Sequence, residues 1–283
     1  MSVLEDDSPV TRRSFKLSDV CDRGRSRAVG IRNMTSVVGG SGIEPWSDRA
    51  ADLYEFIHNA EEAAQKAVCL HQVLRAVVPD AKTLLDVACG TGWHLESLRR
   101  WYTVEGLDAS AAMLERARGR LSDVPLHEAD MRSFELEKTF DVVICLSSSI
   151  AHMQSRPDLE RAVAAMGRHT AAGGVLVIEP WDFPEDAHEE RPWIHSVDAE
   201  DRAVALMETT TLRGSVWEQV SHYLVWHRGA PIEHLVERST LGAFRRDDYV
   251  RALEAVGFSV RFDQSGLLGR GLFIATHRTS AQT

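Results

Sequence analysis

The chain has 283 residues, 44% hydrophobic and 26% charged, which suits one large domain or one domain with an inserted subdomain. Its 32 basic and 42 acidic residues leave a net charge of −10 with no long basic run, which argues against nucleic acid and anionic membrane as partners. No stretch approaches the ~18 apolar residues of a membrane span, no apolar signal core opens the chain, and Cys21, Cys69, Cys89 and Cys145 lack metal or disulfide spacing, so a cytoplasmic protein with reduced thiols is expected.

Residues 1–43 are polar and rich in arginine, and no apolar period persists there. They read as a mobile N-terminal arm, or as a lid that orders over an active site. Over residues 47–78 apolar side chains recur at three- and four-residue steps until Pro79 stops them, which predicts a helix. Strand and helix then alternate. Strands are predicted at 83–88, 103–107, 125–129, 140–146 and, after a turn at Gly173-Gly174, 175–179. Helices are predicted at 92–101, from the cap Ser110 to Leu121, and at 157–169 with Pro157 in the first turn. This alternation predicts an α/β fold: a Rossmann-like, seven-stranded, mostly parallel sheet with helices on both faces. Period-two stretches at 220–226 and 233–239 predict antiparallel strands in an inserted β cap. A helix at 247–256 ends at Gly257, and strands at 259–263 and 271–276 close the sheet as an edge hairpin. The expected organisation is an arm (1–43), a cofactor-binding domain (44–180), a cap over the acceptor site (181–244) and a segment completing the sheet (245–283).

The turn after the first strand reads Asp86-Val87-Ala88-Cys89-Gly90-Thr91-Gly92. Gly90 and Gly92 let backbone approach a ligand at the strand's carboxyl end. A dinucleotide fingerprint wants a third glycine three residues after Gly92, where Leu95 stands. Asp86 ends the strand, and a carboxylate there repels a pyrophosphate but suits the ammonium of a methionine moiety, directly or through water. Asp108, ending the second strand, can accept hydrogen bonds from both ribose hydroxyls. Asp130 can accept from an adenine amine, with Met131 packed on the ring. Together these residues point to S-adenosyl-L-methionine, which carries an ammonium and a sulfonium but no phosphate. Ala88 in the turn and Leu146 at the end of the fourth strand complete the expected cofactor contacts.

The blocks 84–94, 104–108, 129–134, 148–153, 179–185 and 269–273 resemble the antibiotic amino-sugar N,N-dimethyltransferases, which methylate the amine of a TDP-linked deoxysugar in desosamine or mycaminose formation. The likeness runs from about Trp46 to Thr276. Its most specific parts are Ser148-Ser149-Ile150-Ala151-His152, Glu179-Pro180-Trp181 and Gly269-Arg270-Gly271-Leu272-Phe273. The resemblance places His152 beside the acceptor amine, Ser148 and Ser149 in that pocket, and Glu179 and Trp181 near the sugar. It puts Arg270 on the nucleotide diphosphate and Tyr54 near the methyl donor. Trp46 stands where the family usually has tyrosine, and Asp182 where it has a second tryptophan. A Gly-Lys-Asp-Tyr stretch is shortened to residues 58–61.

Methyl transfer from a sulfonium is an in-line displacement that needs a neutral nitrogen held against the methyl group, so positioning supplies much of the rate. A histidine near its ordinary pKa of about 6.5 suits that task, and His152 is the candidate, as base or as orienting hydrogen-bond partner. A structural histidine bonded to the loop is the competing reading. Arg270, between two glycines, has room to approach an anion, against the plainer reading of an edge-strand surface arginine. Trp181 and Trp193 suit stacking on a ring or cation, or a cap core. The histidines show no ligand spacing, so no metal is expected. The resulting expectation is an S-adenosylmethionine-dependent N-methyltransferase acting on a small-molecule amine of secondary metabolism, a TDP-amino sugar first. A mitomycin-type aziridine nitrogen and O-methylation of a related scaffold are the alternatives, and a homodimer is left open.

Overall fold

The computed structural model describes residues 40–58, 60–187, 192–267 and 269–277. The arm expected over 1–43 therefore lies outside the described residues except for its last four. Those contribute a short strand, β1 (Ser41–Ile43), ahead of two helices, α1 (Asp48–Ile57) and α2 (Ala60–Val77). Where the sequence predicts one helix, the chain breaks at His58, whose backbone is extended (φ −84°, ψ 142°). The break lets the two halves serve different layers. Leu53 and Ile57 of α1 pack on the cap, whereas Ala67, Leu70 and Leu74 of α2 pack on the main sheet. Both helices carry the same apolar period, so the period alone hides the break.

The chain then alternates: β2 (Thr83–Val87), α3 (Trp93–Leu98), β3 (Thr103–Asp108), α4 (Ala111–Arg120), β4 (Leu126–Glu128), β5 (Phe140–Cys145), α5 (Arg156–Arg168) and β6 (Thr170–Ile178). Ser110 and Ser155 cap α4 and α5, each accepting a backbone N–H at 3.2 Å. The strand β6 starts before the predicted turn. Gly173 (φ +77°) lies within it and shifts its register against β5 between Phe140 and Val142. After the cap come α6 (Arg246–Ala255) and an edge hairpin of β11 (Phe258–Asp263) and β12 (Leu272–His277). The main sheet runs β11-β12-β6-β5-β2-β3-β4, parallel except where β12 meets β6 and β11. Successive residues of β5 alternate between two cores, Val142 and Ile144 facing α2 and α3, Val143 and Cys145 facing α5 and α6. A sheet buried on both faces explains why its strands read as continuous apolar runs.

The cap is a second sheet made of β7 (Trp193–Asp198), β8 (Arg202–Arg213), β9 (Val216–His227) and β10 (Glu233–Gly242), antiparallel throughout, with β1 added in parallel beside β10. The period-two stretches of the sequence fall inside β9 and β10. The apolar side chains Val204, Leu206, Val225 and Leu235 on one face of the cap receive Leu53 and Ile57 of α1. Arg202 pairs with Asp52 at 2.6 Å, and Arg49 with Glu233, to fasten α1 to this sheet. On its other flank Arg120 of α4 bonds Glu55 and the Thr91 carbonyl. The helix α1 thus ties the cap to the Gly-rich turn.

Candidate active site

From β2 the sheet grows outward through β3 and β4, then returns to place β5 on the other side of β2. The point where the order reverses leaves a crevice at the carboxyl ends of the strands, the usual ligand position in such sheets. A cavity of about 1650 Å³ opens there, bounded by the strand ends, α1 and the cap. Small-molecule sites typically span about 300–1,000 Å³. This volume accommodates two ligands side by side.

The end of the cavity where a cofactor is expected is built from loops after β2, β3 and β4. Gly90 has φ +54°, and a Cβ added there would meet nothing within 4 Å, so its backbone faces open space. Asp108 accepts backbone N–H groups on both oxygens, Gly90 at 2.8 Å and Ser110 at 2.8 Å. Burial still raises its pKa, partly offset by those bonds. Asp130 is gripped by Arg132, which contacts both oxygens and holds its carboxyl below the usual range. Tyr54, Ala88, Met131 and Leu146 complete the lining. Two expected residues do not line it. Asp86 is enclosed, its pKa raised by burial and then by Asp108, and its Oδ2 has no hydrogen-bond partner. Gly92 (φ +81°) begins α3, with Leu121 packed where a Cβ would go.

This donor set fits S-adenosylmethionine. The carboxylates of Asp108 and Asp130 at two successive strand ends suit ribose and adenine, and an open glycine backbone at Gly90 suits close approach.

The opposite end, where the acceptor is expected, joins the β5 and β6 loops to the cap. His152 lies edge-on to Trp46 with ring centroids 4.8 Å apart. Burial lowers its pKa to about 4, so its imidazole is neutral at pH 7. Ser147 donates its backbone N–H to Glu179 Oε2 at 2.7 Å. Ser148 donates its hydroxyl to the Pro180 carbonyl at 2.7 Å and meets Arg270 Nη1 at 3.3 Å. The Arg270 guanidinium lies over the Trp181 ring, 5.0 Å from its centroid. Ser149 lines the same wall. The last residue of β10, Gly242, comes so close that a Cβ would collide with the Met153 carbonyl.

Among the described residues, four non-glycine residues have φ between +50° and +62°: Trp46, Ala88, Ser147 and Ser148. All four line the cavity. Backbone strain of order 1–3 kcal/mol per residue persists where surrounding structure enforces it, commonly at functional sites.

Sequence reasoning missed the cap's contribution. Glu208, Ser221 and Glu237 sit side by side across β8, β9 and β10 and line the cavity. Ser221 donates to Glu208 at 2.9 Å and Tyr223 to Glu237 at 3.1 Å, while burial raises both carboxyl pKa values. Only the period-two pattern hinted at a common face. His58 and His94 near Tyr54 were missed too; burial lowers each to about 4.

A family model described as a methyltransferase domain matches residues 84–174. A dTDP-3-amino-3,6-dideoxy-α-D-glucopyranose N,N-dimethyltransferase of Streptomyces fradiae is 37% identical over 241 residues, 84% of this chain and 94% of that one. A dTDP-4-amino-2,3,4,6-tetradeoxy-D-glucose N,N-dimethyltransferase of Saccharopolyspora spinosa is 38% identical over 232 residues, 81% of this chain and 93% of that one. Among solved structures, an S-adenosylmethionine-bound amino pentose methyltransferase of calicheamicin biosynthesis from Micromonospora echinaspora superposes with a TM-score of 0.72. It is 40% identical and covers 76% of this chain and 92% of that one.

Proposed function

The chain belongs to the family of S-adenosylmethionine-dependent TDP-amino-sugar N,N-dimethyltransferases, and from that premise we propose that it N-methylates the amine of a TDP-linked amino sugar in the assembly of an antibiotic. The observation that carries the reading is one continuous cavity with Asp108 and Asp130 at one end and His152 with Arg270 at the other. Bound S-adenosylmethionine supplies an electrophilic methyl group on its sulfonium. Asp108 holds the ribose hydroxyls with the lone pairs its backbone partners leave free, and Asp130 and Met131 receive the adenine. His152, neutral because it is buried, accepts an N–H of the acceptor amine and turns the nitrogen lone pair toward the methyl group. Its low basicity suits orientation better than proton storage. Arg270 binds the diphosphate, held over Trp181.

The same reading divides the labour along the chain. It assigns 44–180 to binding the cofactor, 181–244 to covering the acceptor and 245–283 to completing the sheet. Among the described residues no helix is long and apolar enough to cross a membrane. The test is transfer of labelled methyl from S-adenosylmethionine to a panel of TDP-amino hexoses. Label appearing in at least one sugar supports the reading. Tight cofactor binding with label in none of them defeats it.

A further inference from the structure

S-adenosylmethionine ends in an amino acid, so a site for it must answer a zwitterionic head as well as the adenosine. In that head an ammonium and a carboxylate leave the same carbon. Asp86, the residue expected to take the ammonium, is enclosed and does not line the cavity. Asp108 and Asp130 are themselves anions and repel the carboxylate.

Among the described residues lining the cavity, the side chains with a fixed positive charge are Lys66 and Arg270. Arg270 stands over Trp181 at the acceptor end. Lys66 lies on α2 and, with Tyr54, Glu62, Thr91, His94 and Ser147, lines a side pocket of about 40 Å³ against the glycine turn. Its side chain is 15% exposed, and its ammonium lies 3.4 Å from Glu62 Oε1, one helical turn back. A lysine ammonium has three protons to donate, so this pairing leaves donors for a second carboxylate. The neighbouring His94 is lowered to about 4, by burial and then by the charge of Lys66. It is neutral at pH 7. Lys66 is therefore the charged donor of this pocket among the described residues.

Opposite charges on one carbon need partners of opposite sign side by side, and Lys66 and Glu62 are such a pair. A diphosphate placed there would be repelled by Glu62, and a bare amine by Lys66. A zwitterion satisfies both. The position also suits the rest of the cofactor. With ribose on Asp108 and adenine at Asp130, the methionine chain can run back over Gly90, whose backbone faces open space, to the wall that α2 shares with the turn. We infer that Lys66 and Glu62 clamp the amino-acid head of S-adenosylmethionine, Lys66 on the carboxylate and Glu62 on the ammonium. The inference rests on S-adenosylmethionine as the cofactor and on nothing about the acceptor.

The measurement is Kd by calorimetry for S-adenosylmethionine and for its decarboxylated form, which keeps the amine, the sulfonium and the adenosine and lacks only the carboxylate. The wild type should bind the parent roughly 10- to 100-fold more tightly, the range for a hydrogen bond to a charged group. Lys66→Met keeps the length of the side chain and removes its charge. It should weaken the parent by roughly that factor and leave the decarboxylated form within about twofold. Lys66→Arg should keep the preference, and Glu62→Gln should weaken both ligands alike, since both carry the amine. Loss of neither ligand in Lys66→Met, or equal loss of both with the preference intact, would overturn the assignment of the carboxylate. Weaker binding of TDP in Lys66→Met, with the S-adenosylmethionine Kd unmoved, would place Lys66 on the acceptor's diphosphate instead. Unchanged Kd values in Glu62→Gln would sink the clamp. Binding of neither ligand by the wild type would remove the cofactor reading itself, and this inference with it.

Discussion

The two ends of the cavity satisfy their polar groups differently. At the cofactor end Asp108 already holds two backbone N–H groups and Asp130 holds Arg132. At the acceptor end Glu179, Trp181 and Trp217 each keep a buried atom without a partner. The first end is shaped by its own chain before a ligand arrives. The second is gathered from separate elements, and its chain leaves those three buried atoms unsatisfied. Substitutions at the two ends should therefore separate cleanly into cofactor affinity and acceptor turnover.

The largest expected effect is at His152. His152→Ala should lower kcat about 100-fold, the cost of a misplaced reacting nitrogen, with S-adenosylmethionine Kd within about twofold by calorimetry. An unchanged kcat would take His152 out of the mechanism. The reciprocal break is Asp108→Ala. It removes charge-assisted bonds to the ribose and to the Gly90 turn, and should weaken cofactor binding by about 30- to 100-fold. If that Kd stays near wild type, Asp108 does not carry the ribose. Next comes Arg270→Ala, which should raise acceptor KM about tenfold and leave cofactor Kd alone. A KM that does not move would favour an acceptor without phosphate.

A smaller effect sharpens the contrast in pH. Burial lowers His58, His94 and His152 from 6.5 to about 4. A histidine held below its unfolded value stabilises the fold above pH 6.5 and loses that contribution as pH falls toward 4. Asp86, raised by burial, works in the opposite direction. The informative readout is thus the difference between proteins: His94→Asn should flatten the loss of Tm between pH 7 and 5 by about 2–4 °C relative to wild type. Parallel curves would mean that His94 titrates normally in the fold. By the same logic, kcat/KM should show no inflection near pH 6.5 that belongs to His152.

The same comparison explains what could be read from the sequence. The cofactor end is nearly local: Asp108 reaches Ser110 two residues on and Gly90 eighteen residues back. Strand, glycine turn and strand-end carboxylate recur in chain order, so the pattern shows where the crevice opens. The enclosed position of Asp86 was not legible, because it depends on how the turn folds over the strand end. The acceptor end gathers Trp46, His152, Glu179, Trp217 and Arg270 from separate elements. A resemblance located His152, Glu179, Trp181 and Arg270, but Trp217 lies in a cap strand whose alternation says only that some face is shared. Glu208 and Glu237 were hidden for the same reason, since cross-strand register, not spacing along the chain, brings them together. The break between α1 and α2 escaped notice because two amphipathic helices in succession keep one apolar period.

The central claim is methyl transfer to a nitrogen on a nucleotide-linked sugar. Its most direct test is fragmentation mass spectrometry of the product formed from S-adenosylmethionine and a TDP-amino hexose, run beside the free amino sugar. The account predicts one or two methyl groups on the amine of the TDP-linked sugar, and far slower reaction of the free sugar, which lacks the group that Arg270 binds. A methyl group on a hydroxyl oxygen, or equal rates with and without the nucleotide, would contradict it.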